Sequence, residues 1–159
     1  MKVGELVDRD LTALSGDCPV SEAIEILYHH NASGLPVLDE DNRVIGFISE
    51  KDIIKAALPG YAHMLHDSSF LPDYGQFSSR LRDIADDPVS KYMKENVITF
   101  NEDDSDFYVA NRVIKENIKI APVLRDGQLV GIVSRSHLVR HLLLHPEEIE
   151  DALEDDPRK

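Results

Sequence analysis

The side chains best suited to chemistry in this 159-residue chain are seven histidines and a single cysteine. His137, His141 and His145 are spaced i, i+4, i+8. A helix running through them would put three imidazoles on one face, and two at that spacing can chelate a divalent cation. His63 and His66 form a second close pair, and His29-His30 a third. Histidine near a helix C-terminus is also favoured by the helix dipole alone. Neither Cys nor carboxylate completes an obvious closed ligand set, so no metal is expected. Cys18 lies where a helix should begin, and packing or capping is its expected role. No nucleophile, base and orienter come together in the pattern, and no Walker-type or dinucleotide glycine loop is present. The chain is therefore expected not to be an enzyme.

What positions these residues is an internal repeat. Sliding the chain by 86 residues brings Val3 onto Val89, Asp17 onto Asp103, Asn31 onto Asn117, and Pro36-Val37-Leu38 onto Pro122-Val123-Leu124. A one-residue deletion near Asp41 then makes the shift 85, and Gly46 meets Gly131, Ser49 meets Ser134 and Leu58 meets Leu143. One gap, falling in a turn, is the mark of a duplicated unit.

Each copy reads β-α-β-β-α. A strand is expected over Leu11 to Leu14 and over Val97 to Phe100. A helix follows, with Asp17 as N-cap, Pro19 in its first turn and a stripe of Val20, Ala23, Ile24 and Leu27. The second stripe is Phe107, Ala110, Val113 and Ile114. Asp106 stands where Val20 stood, so that helix is expected to be shifted or to start later. Strands over 35–38 and 44–48 flank the turn Asp39-Glu40-Asp41-Asn42. Their copies over 121–124 and 129–133 flank Asp126-Gly127, a strong hairpin signal. A last helix follows Ser49 and Ser134, which suit N-caps. One unit of about 55 residues is marginal alone. The expected fold is thus α/β (α+β), with two repeats packed sheet to sheet about a pseudo-two-fold axis.

The expected divisions are repeat 1 over 1–58, a linker with a helix over 59–88, repeat 2 over 89–145 and an acidic tail over 146–159. In the linker Phe77, Leu81 and Ile84 are spaced as a helix face ended by Asp87-Pro88, and Phe70-Leu71-Pro72 with Tyr74 reads as an apolar anchor.

The net charge of −13 is uneven. Residues 3–58 hold eleven acids and four bases, residues 89–145 seven acids and eight bases, and the tail seven acids and two bases. Such a surface repels phosphate backbones and anionic lipid, so neither nucleic acid nor membrane is an expected partner. No apolar run approaches the roughly 20 residues that span a bilayer. The start has an early acid and no apolar stretch, so no secretion signal is expected, and one cysteine allows no intrachain disulfide. The expected location is cytoplasmic.

Three stretches in the first copy, Asp17-Cys18-Pro19-Val20-Ser21-Glu22-Ala23, Gly34-Leu35-Pro36-Val37-Leu38-Asp39 and Gly46-Phe47-Ile48-Ser49-Glu50-Lys51-Asp52, resemble the signature of a CBS (cystathionine-beta-synthase) domain. In the second copy the resemblance runs through Val97-Ile98-Thr99, Ala121-Pro122-Val123 and Gly131-Ile132-Val133-Ser134-Arg135-Ser136-His137. Two such domains resemble a Bateman module, here of a stand-alone bacterial or archaeal type. The resemblance implies a regulatory module, with no resident cofactor, that binds an adenosyl ligand in clefts between the repeats. AMP, ADP, ATP, S-adenosylmethionine and NAD all fit that class. It also implies a homodimer, with an unidentified protein partner to read the ligand. The alternative is a structural dimerisation module without ligand.

By the same resemblance, the first cleft is formed by Ala13, Gly34, Leu35, Pro36, Ser49 and Asp52. The serine and helix start suit a phosphate and the aspartate suits ribose hydroxyls. The second is formed by Thr99, Ile120, Ala121, Pro122, Ser134, Arg135 and His137. It keeps the serine but has a histidine for the aspartate, with Lys119, Arg112 and Arg140 as further nearby bases. One competent nucleotide cleft is expected rather than two equal ones.

Overall fold

The computed structural model describes residues 2–5, 7, 13–58 and 74–144, of which 74–76 are described for backbone only. The chain divides into two compact units, one spanning Thr12–Val97 and the other joining Met1–Leu11 to Ile98–Lys159.

In the first unit, β1 (Leu14–Ser15), α1 (Val20–His29), β2 (Gly34–Leu38), β3 (Val44–Ser49) and α2 (Glu50–Ala57) follow in order, and then α3 (Tyr74–Ile84) and a 3-10 turn, Val89–Lys91. The sheet order is β1-β2-β3, with β1 parallel and β3 antiparallel to the central β2. Its core gathers Leu14, Val20, Ala23, Leu27, Leu35, Val37, Ile48, Ile53 and Val89, with Leu81 and Ile84 of α3 packed against it. A helix is therefore present over Tyr74–Ile84, with Leu81 and Ile84 of its predicted face against the core and Phe77 half-buried.

Strand β1 lies further along than the 11–14 segment suggested. It pairs only as Leu14 with Val37 and Ser15 with Leu38, while Leu11 and Thr12 fall outside the described residues. Pro36 sits fully buried in the central strand. Phe47 directs its N–H and C=O outward to Lys94, each at 2.9 Å, so its pair with Pro36 is of the non-hydrogen-bonded kind. The missing N–H of Pro36 then faces the β1 side, one residue before the pair of Leu14 with Val37.

Asp17 does not cap α1. The N-cap is Pro19, which makes no side-chain cap bond. The Val20 and Ser21 N–H groups instead donate to the Asp87 and Ala85 carbonyls, both at 2.9 Å. The helix start is satisfied by backbone from beyond α3, because an orphan N–H accepts any well-placed carbonyl.

The second unit repeats the plan with β4 (Phe100–Asn101), α4 (Asp106–Lys115), β5 (Ile120–Arg125), β6 (Gln128–Ser134) and α5 (Arg135–Leu144). Its sheet order is β4-β5-β6, and its core holds Val3, Phe100, Val109, Val113, Ala121, Val123, Val133 and Leu138. The Asp126-Gly127 turn has φ of 51° and 80°, the left-handed pair that a two-residue hairpin turn needs.

Here two expectations fail. Strand β4 starts at Phe100 rather than Val97. Helix α4 keeps the register of α1, starting at Asp106 with Ser105 as N-cap, its hydroxyl accepting the Tyr108 N–H at 3.2 Å. Its buried face is Asp106, Val109 and Val113, whereas Phe107 and Ile114 are exposed. Asp106 is buried with its Oδ1 accepting the Phe107 N–H at 2.7 Å.

Each unit also receives a lead segment with the same geometry. The Val3 N–H donates to the Asp104 carbonyl at 2.7 Å, and the Val89 N–H to the Cys18 carbonyl at 2.8 Å. Gly4 N–H reaches Glu102, and Ser90 N–H reaches Gly16. Val3 and Val89 are both fully buried. The segment that opens the second sequence repeat therefore belongs to the first folded unit, and the segment that opens the chain belongs to the second.

Candidate functional site

The first unit brings Gly34, Ser49 and Asp52 to one end of its sheet. Gly34 and Ser49 are register partners across β2 and β3. Ser49 caps α2, and Asp52 lies in the first turn of that helix. The cap is reciprocal, with the Asp52 N–H donating to Ser49 Oγ at 3.2 Å and the Ser49 N–H donating back to Asp52 Oδ2 at 3.0 Å. The Ser49 hydroxyl adds a third bond, to Oδ2 at 2.8 Å. Such a box stabilises a helix start by about 1 kcal/mol.

Burial holds this carboxylate in place, since the Asp52 side chain is only 6% exposed. Its Oδ1 makes no bond to the helix start and faces Lys94 Nζ at 3.9 Å. An ionised carboxylate accepts two hydroxyl donors readily. Of the N–H groups that open α2, that of Glu50 is taken by the Ser33 carbonyl and that of Asp52 by Ser49. The Lys51 N–H at the same helix start is placed for an anion.

Leu35 and Ile48 are register partners next to the non-hydrogen-bonded pair of Pro36 and Phe47. By alternation, Gly34 also points its N–H and C=O toward the β1 side, beyond the end of β1. Ala13, half-buried, directly precedes β1. The side chains of Leu35 and Pro36 are buried, so these residues can offer a ligand only backbone. Gly34 is required by its neighbour: a Cβ there would lie 2.8 Å from Phe47 Cζ and closer still to Cε1.

In the second unit Ile120 pairs with Ser134 in the same register. Ser134 Oγ accepts the His137 N–H at 3.2 Å and lies 2.9 Å from Ser136 Oγ. His137 has no carboxylate to return the bond, and its buried Nδ1 has no hydrogen-bond partner. Ala121 and Pro122 are buried, and Thr99 directly precedes β4. Arg135 and Lys119 have exposed side chains and are joined through backbone, Arg135 N–H to Lys119 C=O at 3.1 Å. Arg112 Nη1 reaches Tyr108 Oη at 3.5 Å on its own helix, and Arg140 is exposed on α5.

Of the histidines, His137 and His141 lie on α5, while His145, His63 and His66 lie outside the described residues, as does the Phe70-Leu71-Pro72 anchor. Among the described residues, no three groups of the His, Cys, Asp or Glu kind converge as a metal site would need. Cys18 packs against the first core and donates weakly to the Pro19 carbonyl at 3.5 Å. Burial, reinforced by Glu22, pushes its thiol up from the ordinary value, which disfavours the reactive thiolate. No helix among the described residues is long and apolar enough to cross a membrane.

Lys94 is the site residue with no warning in the sequence. It lies 42 positions from Asp52, and the backbone bridge between Phe47 and Lys94 is what brings it there.

A family model for the CBS domain matches residues 3–59 and 89–144. The chain belongs to the CBS domain family. A CBS domain-containing protein of Dictyostelium discoideum is 31% identical over 143 residues, covering 89% of this chain and 90% of that protein. The chain spans only 42% of another relative, a Methanocaldococcus jannaschii protein 24% identical over 140 residues. Among solved structures, CBSX2 in complex with AMP has a TM-score of 0.71 at 20% identity, covering 92% of this chain and 98% of that one. The CBS domain pair of protein MJ0100, in complex with 5′-methylthioadenosine and S-adenosyl-L-methionine, has a TM-score of 0.63 at 26% identity, covering 88% and 98%. The mixed α/β architecture with two three-stranded sheets is that of CBS-pair proteins.

Proposed function

We propose that the chain is a regulatory module that binds an adenosine-containing ligand at the Gly34–Ser49–Asp52 end of its first unit, and that it is not a catalyst. The class is the adenine nucleotides, S-adenosylmethionine and NAD. Asp52 carries the reading. It is a buried carboxylate, held rigid through Oδ2, with Oδ1 uncommitted to the helix that holds it. A ribose diol matches that acceptor, the polar edge of a base matches the Gly34 backbone, and a phosphate matches the start of α2. Two proteins of the same fold that carry adenosyl compounds support the class.

The second unit is the weaker site, because His137 cannot accept the two hydroxyl hydrogens that an aspartate takes. Regulation follows from linkage. A ligand that favours one conformation of the module raises the affinity of any partner favouring the same one.

A thermal-shift screen of adenosyl compounds tests the reading. A true ligand at a hundred times its Kd adds about 2.7 kcal/mol of stability. In calorimetry Asp52→Ala should weaken that ligand at least tenfold. No shift with any adenosyl compound would replace this reading with that of a structural dimerisation module.

A further inference from the structure

We infer that Lys94, the ion-pair partner of Asp52, selects the charge of the ligand, so that the first unit takes 5′-phosphorylated adenosine rather than neutral or cationic adenosyl compounds. This rests on the reading of Asp52 as the ribose acceptor and adds the ligand's charge class to it.

The observations are the ion pair and its mounting. Lys94 Nζ lies 3.9 Å from Asp52 Oδ1, the oxygen left over by the capping box. The lysine side chain is 63% exposed, and the carboxylate beneath it 6%. A ribose hydroxyl that binds Oδ1 competes with the ammonium for that oxygen, and a four-carbon stem in solvent moves aside readily. The backbone that carries it does not. Lys94 N–H and C=O are both bonded to Phe47 at 2.9 Å, and Met93 beside it lies over Gly46, with Cγ 2.8 Å from where a Cβ would stand. The displaced ammonium therefore stays tethered within a side chain's length of whatever the ribose carries.

Charge then decides what that group should be. A 5′-phosphate gives the ammonium a stronger partner than the one it left, with two or more oxygens in place of one. A neutral thioether gives it none, and a sulfonium repels it. Arg43, an exposed base in the turn between β2 and β3, lies at the opposite end of the sheet from Gly34 and Ser49 and is the control.

Calorimetry of the full chain with adenosine, AMP and S-adenosylmethionine is the test, on the wild type and on Lys94→Ala, Lys94→Arg, Arg43→Ala and Asp52→Asn. Lys94→Ala should weaken AMP about tenfold, the order expected for one charge-assisted contact. It should leave adenosine within about twofold and S-adenosylmethionine unchanged or tighter. Lys94→Arg should retain AMP, and Arg43→Ala should change none of the three. Equal loss of adenosine and AMP, no loss of either, or tighter AMP in Lys94→Ala would each overturn the role of Lys94. If AMP binding is lost in Asp52→Asn but indifferent to Lys94, this inference fails while the ribose reading stands. If no compound binds the wild type, both fail.

Discussion

Asp52 Oδ2 accepts two hydrogen bonds from Ser49, one from its backbone N–H at 3.0 Å and one from its hydroxyl at 2.8 Å. The equivalent pair in the second unit, Ser134 and His137, shares only the bond from His137 N–H to Ser134 Oγ. Removing the hydroxyl should therefore cost more in the first unit. Ser49→Ala is expected to destabilise by about 1.5 kcal/mol and Ser134→Ala by about 0.5 kcal/mol, within the range for lost helix caps. Urea denaturation of the two variants measures the difference, and equal losses would mean the reciprocal bonds contribute nothing.

Replacing His137 by Asp should rebuild the missing half of the second box. The His137→Asp variant is expected to gain about 0.5 kcal/mol from the cap and from an acid in the first turn of α5. It also restores a ribose acceptor, so the calorimetric stoichiometry for an adenosyl ligand should rise from one to two per chain. A stoichiometry fixed at one would show that the aspartate is not what the second site lacks.

The turn after α3 carries a pH signature. Tyr92 Oη donates to Asp87 Oδ2 at 2.5 Å, and Lys91 lies 3.4 Å from the same oxygen. The tyrosine bond, then the lysine, holds the Asp87 carboxyl below its ordinary range. The same bond and partial burial push the Tyr92 phenol above its own. A carboxyl that titrates lower when folded contributes fully above its unfolded value of about 4 and loses that contribution as pH falls. A phenol that titrates higher when folded contributes fully below about 10 and loses that contribution as pH rises. The Tm gap between the wild type and Tyr92→Phe should be flat from about pH 5 to 9 and shrink at both ends. A gap independent of pH would mean the hydrogen bond is not what the tyrosine supplies.

The lead segments should behave as core despite their place in the chain. Val3 is the third residue, yet it is fully buried against the second unit's core. Val3→Ala is expected to cost about 2 kcal/mol, the order for truncating a buried aliphatic side chain. Val89→Ala should cost a similar amount. A Val3→Ala variant as stable as the wild type would mean that the segment does not dock in solution.

How far the sequence could be read depended on how local the cause was. The Asp126-Gly127 turn, the buried Pro36 and Pro122 segments and the face of α3 follow from short-range chemistry, and each was legible. Asp17 as the cap of α1 was a reasonable local inference, but the Ala85 and Asp87 carbonyls do that work from about 65 residues away. On α4, a charged Asp106 pushed the expected stripe one position round to Phe107, because nothing in the sequence reveals that Asp106 is buried with its Oδ1 accepting the Phe107 N–H. The Ser49–Asp52 pair was visible at i, i+3. Lys94 was not, since it depends on a bridge to Phe47 that no spacing rule predicts.

The docking of Val3 against Asp104 also sets an order of events during synthesis. The unit over 12–97 is one continuous stretch, so it can close while the rest of the chain is still being made. The segment around Val3 and Gly4 cannot do the same, because its acceptors at Asp104 and Glu102 are translated about a hundred codons later. It must wait, unseated, until the second half emerges. The earlier-made segment is thus seated by the later-made one.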